Sequence, residues 1–87
     1  MLCQVFKSPR KEQMYLFLAQ QKGLEDVPES LLATFGEPES VMVLDLTPER
    51  KLARARAPEV IEAITNQGFY LQMPPTEAEL RAQDSNG

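Results

Sequence analysis

The chain has 87 residues, 43% of them hydrophobic and 25% charged, with a formal net charge of −4. That is room for one small globular domain, too apolar for disorder over its whole length, and its acidity disfavours a general polyanion binder. No apolar run approaches the roughly 20 residues of a membrane-spanning helix, Met1–Lys7 is too short and interrupted for a secretion signal, and the single cysteine, Cys3, allows no internal disulfide, so a reducing compartment, the cytoplasm, is expected, with no membrane partner.

In chain order, residues 2–7 read as a strand, with Leu2, Gln4 and Phe6 on one side and Cys3, Val5 and Lys7 on the other. The polar segment 8–13, with Pro9, is a turn. Met14-Tyr15-Leu16-Phe17-Leu18-Ala19 is continuously apolar, as in a strand covered on both faces, and pairs with the first as a hairpin. After a polar link, Pro28 suits the first position of a helix, Leu31, Leu32 and Phe35 share one helical face, and Gly36 supplies the stop.

Val41-Met42-Val43-Leu44-Asp45-Leu46 is a third, nearly unbroken apolar strand, expected at the centre of the sheet. Thr47–Arg50 reads as a turn feeding an extended stretch through Leu52. Pro58 opens a second helix, apolar along Ala57, Val60, Ile61 and Ile64, which Gly68 ends. Phe69–Met73 is a fourth strand, terminated by Pro74-Pro75. Thr76 and Glu79 have the spacing of a capping box, so a short C-terminal helix and a disordered tail are expected over 76–87.

The order β-β-α-β-α-β, plus that short helix, predicts an α+β two-layer sandwich: one domain over residues 1–75, its helices on one face of a small mixed or mostly antiparallel sheet. The link between the third and fourth strands fits a parallel crossover or an antiparallel excursion equally.

Several blocks along the chain carry a family resemblance: Cys3-Gln4-Val5-Phe6-Lys7-Ser8, Tyr15-Leu16, Val27-Pro28-Glu29, Phe35-Gly36-Glu37-Pro38, Arg50-Lys51-Leu52-Ala53, and above all Gln67-Gly68-Phe69-Tyr70-Leu71-Gln72-Met73-Pro74-Pro75. In these the chain resembles the YcgL-like family of small bacterial proteins. The resemblance implies an α/β fold and a bacterial cytosolic protein. That family has no established biochemical activity, so no catalytic residue carries over.

The chain has no histidine. That removes the usual general base near neutral pH, the histidine-activated nucleophiles and the commonest metal ligand. Cys3 by itself makes no zinc site and reads as a small buried apolar residue, the alternative being a reactive thiol. The four glycines are isolated, so no phosphate loop is present. No cofactor or metal is expected, and no catalytic residue is assigned. Asp45 in an apolar strand is unusual and is expected either at the strand's end or taking hydrogen bonds from the Thr47 region, a structural turn role rather than a catalytic one, while Glu37 and Glu39 read as a solvated loop.

Charge is segregated. Residues 23–49 hold seven acids and no base, whereas residues 50–58 hold Arg50, Lys51, Arg54 and Arg56 and no acid. Lys7, Arg10 and Lys11 mark the first turn. If the two basic segments meet, they form one patch to which Tyr70 and Tyr15 add aromatic surface for base stacking; otherwise they are ordinary surface charges. Tyr70-Leu71-Gln72, leading into Pro74-Pro75, also reads as a docking edge, with Gln72 a contact residue. Three functions are therefore weighed. The first is a non-enzymatic accessory or interaction module with a cytosolic protein partner. The second is a nucleic-acid-associated protein using the cluster at 50–56. The third is a small enzyme working through carboxylates and arginine.

Overall fold

A computed structural model describes residues 1–52 and 54–76; the C-terminal helix and tail expected over 76–87 lie, beyond Thr76, outside them. The elements are β1 (Leu2–Lys7), β2 (Tyr15–Ala19), α1 (Glu29–Phe35), β3 (Glu39–Asp45), α2 (Ala57–Gln67) and β4 (Phe69–Gln72). The class and element order are those read from the sequence. Pro28 is the N-cap rather than the first residue of α1, and α2 begins one residue before Pro58.

The four strands form one antiparallel sheet in the order β3-β1-β2-β4. β1 and β2 are the expected hairpin and occupy the centre. β3, expected to be central, is an edge strand. Its chain leaves β2 through α1, skips β1 and pairs beyond it, while the α2 connection spans the sheet to β4 on the other edge.

The helices lie on opposite faces, not on one, so the layering is helix–sheet–helix rather than the expected two layers. Odd-numbered residues of β1 and β2 (Cys3, Val5, Phe17) pack with Leu44, Leu46 and the α2 stripe Ala57, Val60 and Ile64. Even-numbered Leu16 and Leu18 pack with Met14, Val27 and Phe35 of α1, joined by Leu31, Leu32, Phe69 and Leu71. The cause is in β2: an unbroken apolar strand projects side chains to both faces with period two, and each face needs its own cover.

Both glycine stops hold. Gly36 sits at φ 89° and ψ −171°, a region essentially reserved for glycine, and Gly68 at φ 94° and ψ −7°; each N–H closes the last helical turn, on Leu32 and Ile64 at 2.9 Å. The β1–β2 turn then caps α1. The Ser8 hydroxyl donates to the Phe35 carbonyl at 2.5 Å and accepts from the N–H groups of Arg10 and Lys11. Arg10 Nη1 donates to the Ala33 carbonyl at 2.7 Å. Helix carbonyls that the last turn leaves orphaned are thus satisfied from the hairpin.

Candidate functional site

The basic residues separate into four places. Arg10 is drawn to the end of α1, where its side chain also lies over Gly36. Lys7 stands on β1 opposite Glu39 and pairs with it at 3.6 Å. It lines a cleft of about 460 Å³ with Ser8, Glu12, Tyr15 and Glu39. Lys11 is exposed on the turn nearby.

Arg50, Lys51 and Arg56 line a different cavity of about 370 Å³, in front of α2. The turn expected at Thr47–Arg50 forms, with the Arg50 N–H on the Thr47 carbonyl, and Lys51 bridges Arg56. Arg54 leaves that group and donates through Nη1 to the Met73 carbonyl just past β4. Lys7, Tyr15 and Gln72 fall in one row across β1, β2 and β4, so Arg54 arrives at the same end of the sheet as Lys7. Lys7 lines one cavity, and Arg50, Lys51 and Arg56 line another.

Tyr70 is not a free stacking platform. Its ring stands edge-on to Phe17, centroids 5.9 Å apart at 74°, and packs against the α2-side core. Gln72 borders an apolar groove of about 320 Å³ lined by Val5, Phe17, Met42 and Leu52.

Of the carboxylates, Asp45 stands at the end of β3, one of the two placements expected for it, and its Oδ1 accepts from the Met1 ammonium at 3.3 Å rather than from the Thr47 region. Glu39 belongs to β3 rather than to a loop. Glu12 and Glu39 share the Lys7 cleft, and both are exposed to solvent. Among the described residues no three Asp, Glu or Cys side chains gather as a metal would require. Cys3 is fully buried, and burial pushes its thiol above the ordinary value, Asp45 adding to the rise and the Met1 ammonium opposing it. No described helix is long and apolar enough to cross a membrane.

The feature that sequence reasoning missed is the free edge of β3. Val41, Met42 and Val43 are 46%, 47% and 46% exposed. Met42 lies opposite Val5 and so on the α2 face; Val43 lies opposite Gln4 on the α1 face, beside exposed Leu2. A strand apolar on both faces normally sits inside a sheet. An exposed apolar edge also offers unpaired backbone groups to another strand. The run of four apolar residues was visible in the sequence; its position at the edge was not.

A family model for the YcgL domain matches residues 3–75. A YcgL domain-containing protein of Chromohalobacter salexigens is 55% identical over 74 residues, covering 85% of this chain and 77% of its own. One from Pseudomonas aeruginosa is 54% identical over 78 residues, covering 90% and 80%. One from Saccharophagus degradans is 53% identical over 75 residues, covering 86% and 82%.

Proposed function

The chain belongs to the YcgL domain family, and from that premise we propose that it is a non-enzymatic interaction module that binds protein through the edge of β3. One observation carries this reading: β3 holds consecutive half-exposed apolar residues on both faces of the sheet while its outer backbone faces solvent. Strand addition at such an edge draws affinity from main-chain hydrogen bonds and selectivity from alternate side chains. Two further facts support a role without catalysis. The chain has no histidine, and its thiol is sealed in the core.

The test is a photo-crosslinking amino acid placed at Val43 of the full chain, with a second placement at exposed Thr65 on α2 as the control. Crosslinked protein specific to Val43, and lost when Met42 is changed to lysine, is the expected result. Equal crosslinking at both positions, or none at either, removes the proposal.

A second reading, nucleic-acid binding, draws on the cavity shared by Arg50, Lys51 and Arg56. It requires affinity for RNA that falls steeply with salt and disappears in an Arg50, Lys51, Arg54 triple-alanine variant. The engagement of Tyr70 by Phe17 and the net charge of −4 weigh against it.

A further inference from the structure

The backbone of β3 specifies how a strand adds to it. Leu46 exchanges both its bonds with Met1: its N–H reaches the Met1 carbonyl at 2.7 Å and its carbonyl accepts from the Met1 nitrogen at 3.1 Å. Leu46 therefore faces β1. In an antiparallel ladder the direction alternates, so Leu44 and Met42 also face β1, and Val43 and Asp45 turn their N–H and C=O outward. Toward the start of β3 the register shifts by one residue, with Val41 and Met42 together opposite Val5. This bulge interrupts the regular edge. The open edge is thus a short segment centred on Val43.

Resting on the reading of β3 as a docking edge, we propose that its occupant is the β3 of a second copy, paired antiparallel about a two-fold axis at Val43. In this register Val43 and Val43 of the partner exchange two backbone hydrogen bonds, and the two four-stranded sheets become one continuous sheet. Met42 falls opposite the partner's Leu44 on the α2 face, and the regular ladder ends at the bulge beyond Met42.

The competing two-fold, centred on Met42, would pair the outward groups of Val43 with the partner's Val41, the extra residue of the bulge, where the regular ladder is broken. The strand's own charges also favour a copy over a basic peptide. Glu39 is held by Lys7 at 3.6 Å and Asp45 by the Met1 ammonium at 3.3 Å. Both acids therefore have a cation on the same sheet, and Val41, Met42, Val43 and Leu44 between them are apolar and complementary to a second copy of themselves. Met42 has an unbranched side chain suited to the irregular groove beside it, which it already lines with Val5, Phe17 and Leu52.

A contact this short falls below the standard interface of about 800 Å² per partner, so the dimer is weak, with a dissociation constant above about 1 μM. Sedimentation velocity on the full chain, from about 10 μM to about 1 mM, spans that regime. The expected result is a shift from monomer to dimer with rising concentration. Val43→Pro removes an outward N–H and no bond to β1, so it folds and stays monomeric.

Val43→Lys and Val43→Glu should each stay monomeric, because the two-fold sets like charges together. An equimolar mixture of the two should associate. That rescue reports the Val43–Val43 pairing and nothing else.

A wild-type chain that is monomeric throughout, a Val43→Pro variant that dimerises like wild type, or a charge-swapped pair that fails to associate overturns the proposal. Crosslinking at Val43 to a different protein, with the wild type monomeric, overturns the second copy while leaving edge docking in place. Absence of both defeats edge docking as well.

Discussion

Replacing Ser8 with alanine tests whether the β1–β2 turn holds α1 onto the sheet. Ser8 is a buried polar side chain, 7% exposed, and its hydroxyl uses its donor and both acceptor positions: one bond to the Phe35 carbonyl and one from each of the Arg10 and Lys11 N–H groups. Alanine removes all three at once. The Arg10 and Lys11 amides lie in an exposed turn, where water replaces the oxygen at little cost. The Phe35 carbonyl belongs to a fully buried residue at the helix end.

Leaving one such acceptor unsatisfied costs about 1–3 kcal/mol. Total stability for a domain of this size is about 4–13 kcal/mol. We therefore expect Ser8→Ala to lose about 2 kcal/mol, lowering the midpoint of thermal unfolding by about 8–16 °C. In urea the midpoint should fall with the slope unchanged, since the folded core remains. Ser30→Ala, on the exposed side of α1, is the control and should stay within about 0.5 kcal/mol of wild type. A Ser8→Ala loss no larger than that control would show that the hydroxyl does not anchor the helix end.

Three further predictions concern stability and the thiol. Gly68→Ala meets both a positive φ of 94° and an obstruction, because the new Cβ would lie 2.4 Å from Asp26 Cβ; a loss of about 2–4 kcal/mol is expected, of which Asp26→Gly recovers only the steric share, and full recovery in the double variant would refute the conformational part. Cys3 should react with iodoacetamide far more slowly in the native protein than in urea, and equal rates would contradict its burial. Its raised pKa also has a pH signature. The unfolded thiol ionises near about 8.5 while the folded one keeps its proton, so this contribution to stability is complete below that pH and declines as pH rises toward the folded value. Cys3→Ala should flatten the alkaline decline seen in urea titrations across that range, and an unchanged slope would remove the assignment.

Much of the local structure was legible. The alternation in residues 2–7, the Ala57, Val60, Ile61 and Ile64 stripe, and the glycines at 36 and 68 each act within a few residues of themselves, and the corresponding elements stand where expected. The candidate site was legible only in fragments. Lys7, Arg10, Arg50 and Arg54 were recognisable as basic, but their destinations depend on groups far away in sequence: Glu39 for Lys7, the Ala33 carbonyl for Arg10, the Met73 carbonyl for Arg54.

Periodicity, prolines and glycines in the sequence alone determined which segments are helix and which are strand, because backbone dihedrals and side-chain period are set by neighbours along the chain. Only the tertiary structure decided that β3 lies at the edge and that α1 and α2 cover opposite faces. An unbroken apolar strand states that both its faces want cover, and β2 and β3 state it equally. Which of them receives that cover depends on strand pairing between distant segments and on where each helix crosses the sheet. In this fold β2 is covered twice, and β3 is left with apolar side chains and outward backbone groups at the open edge.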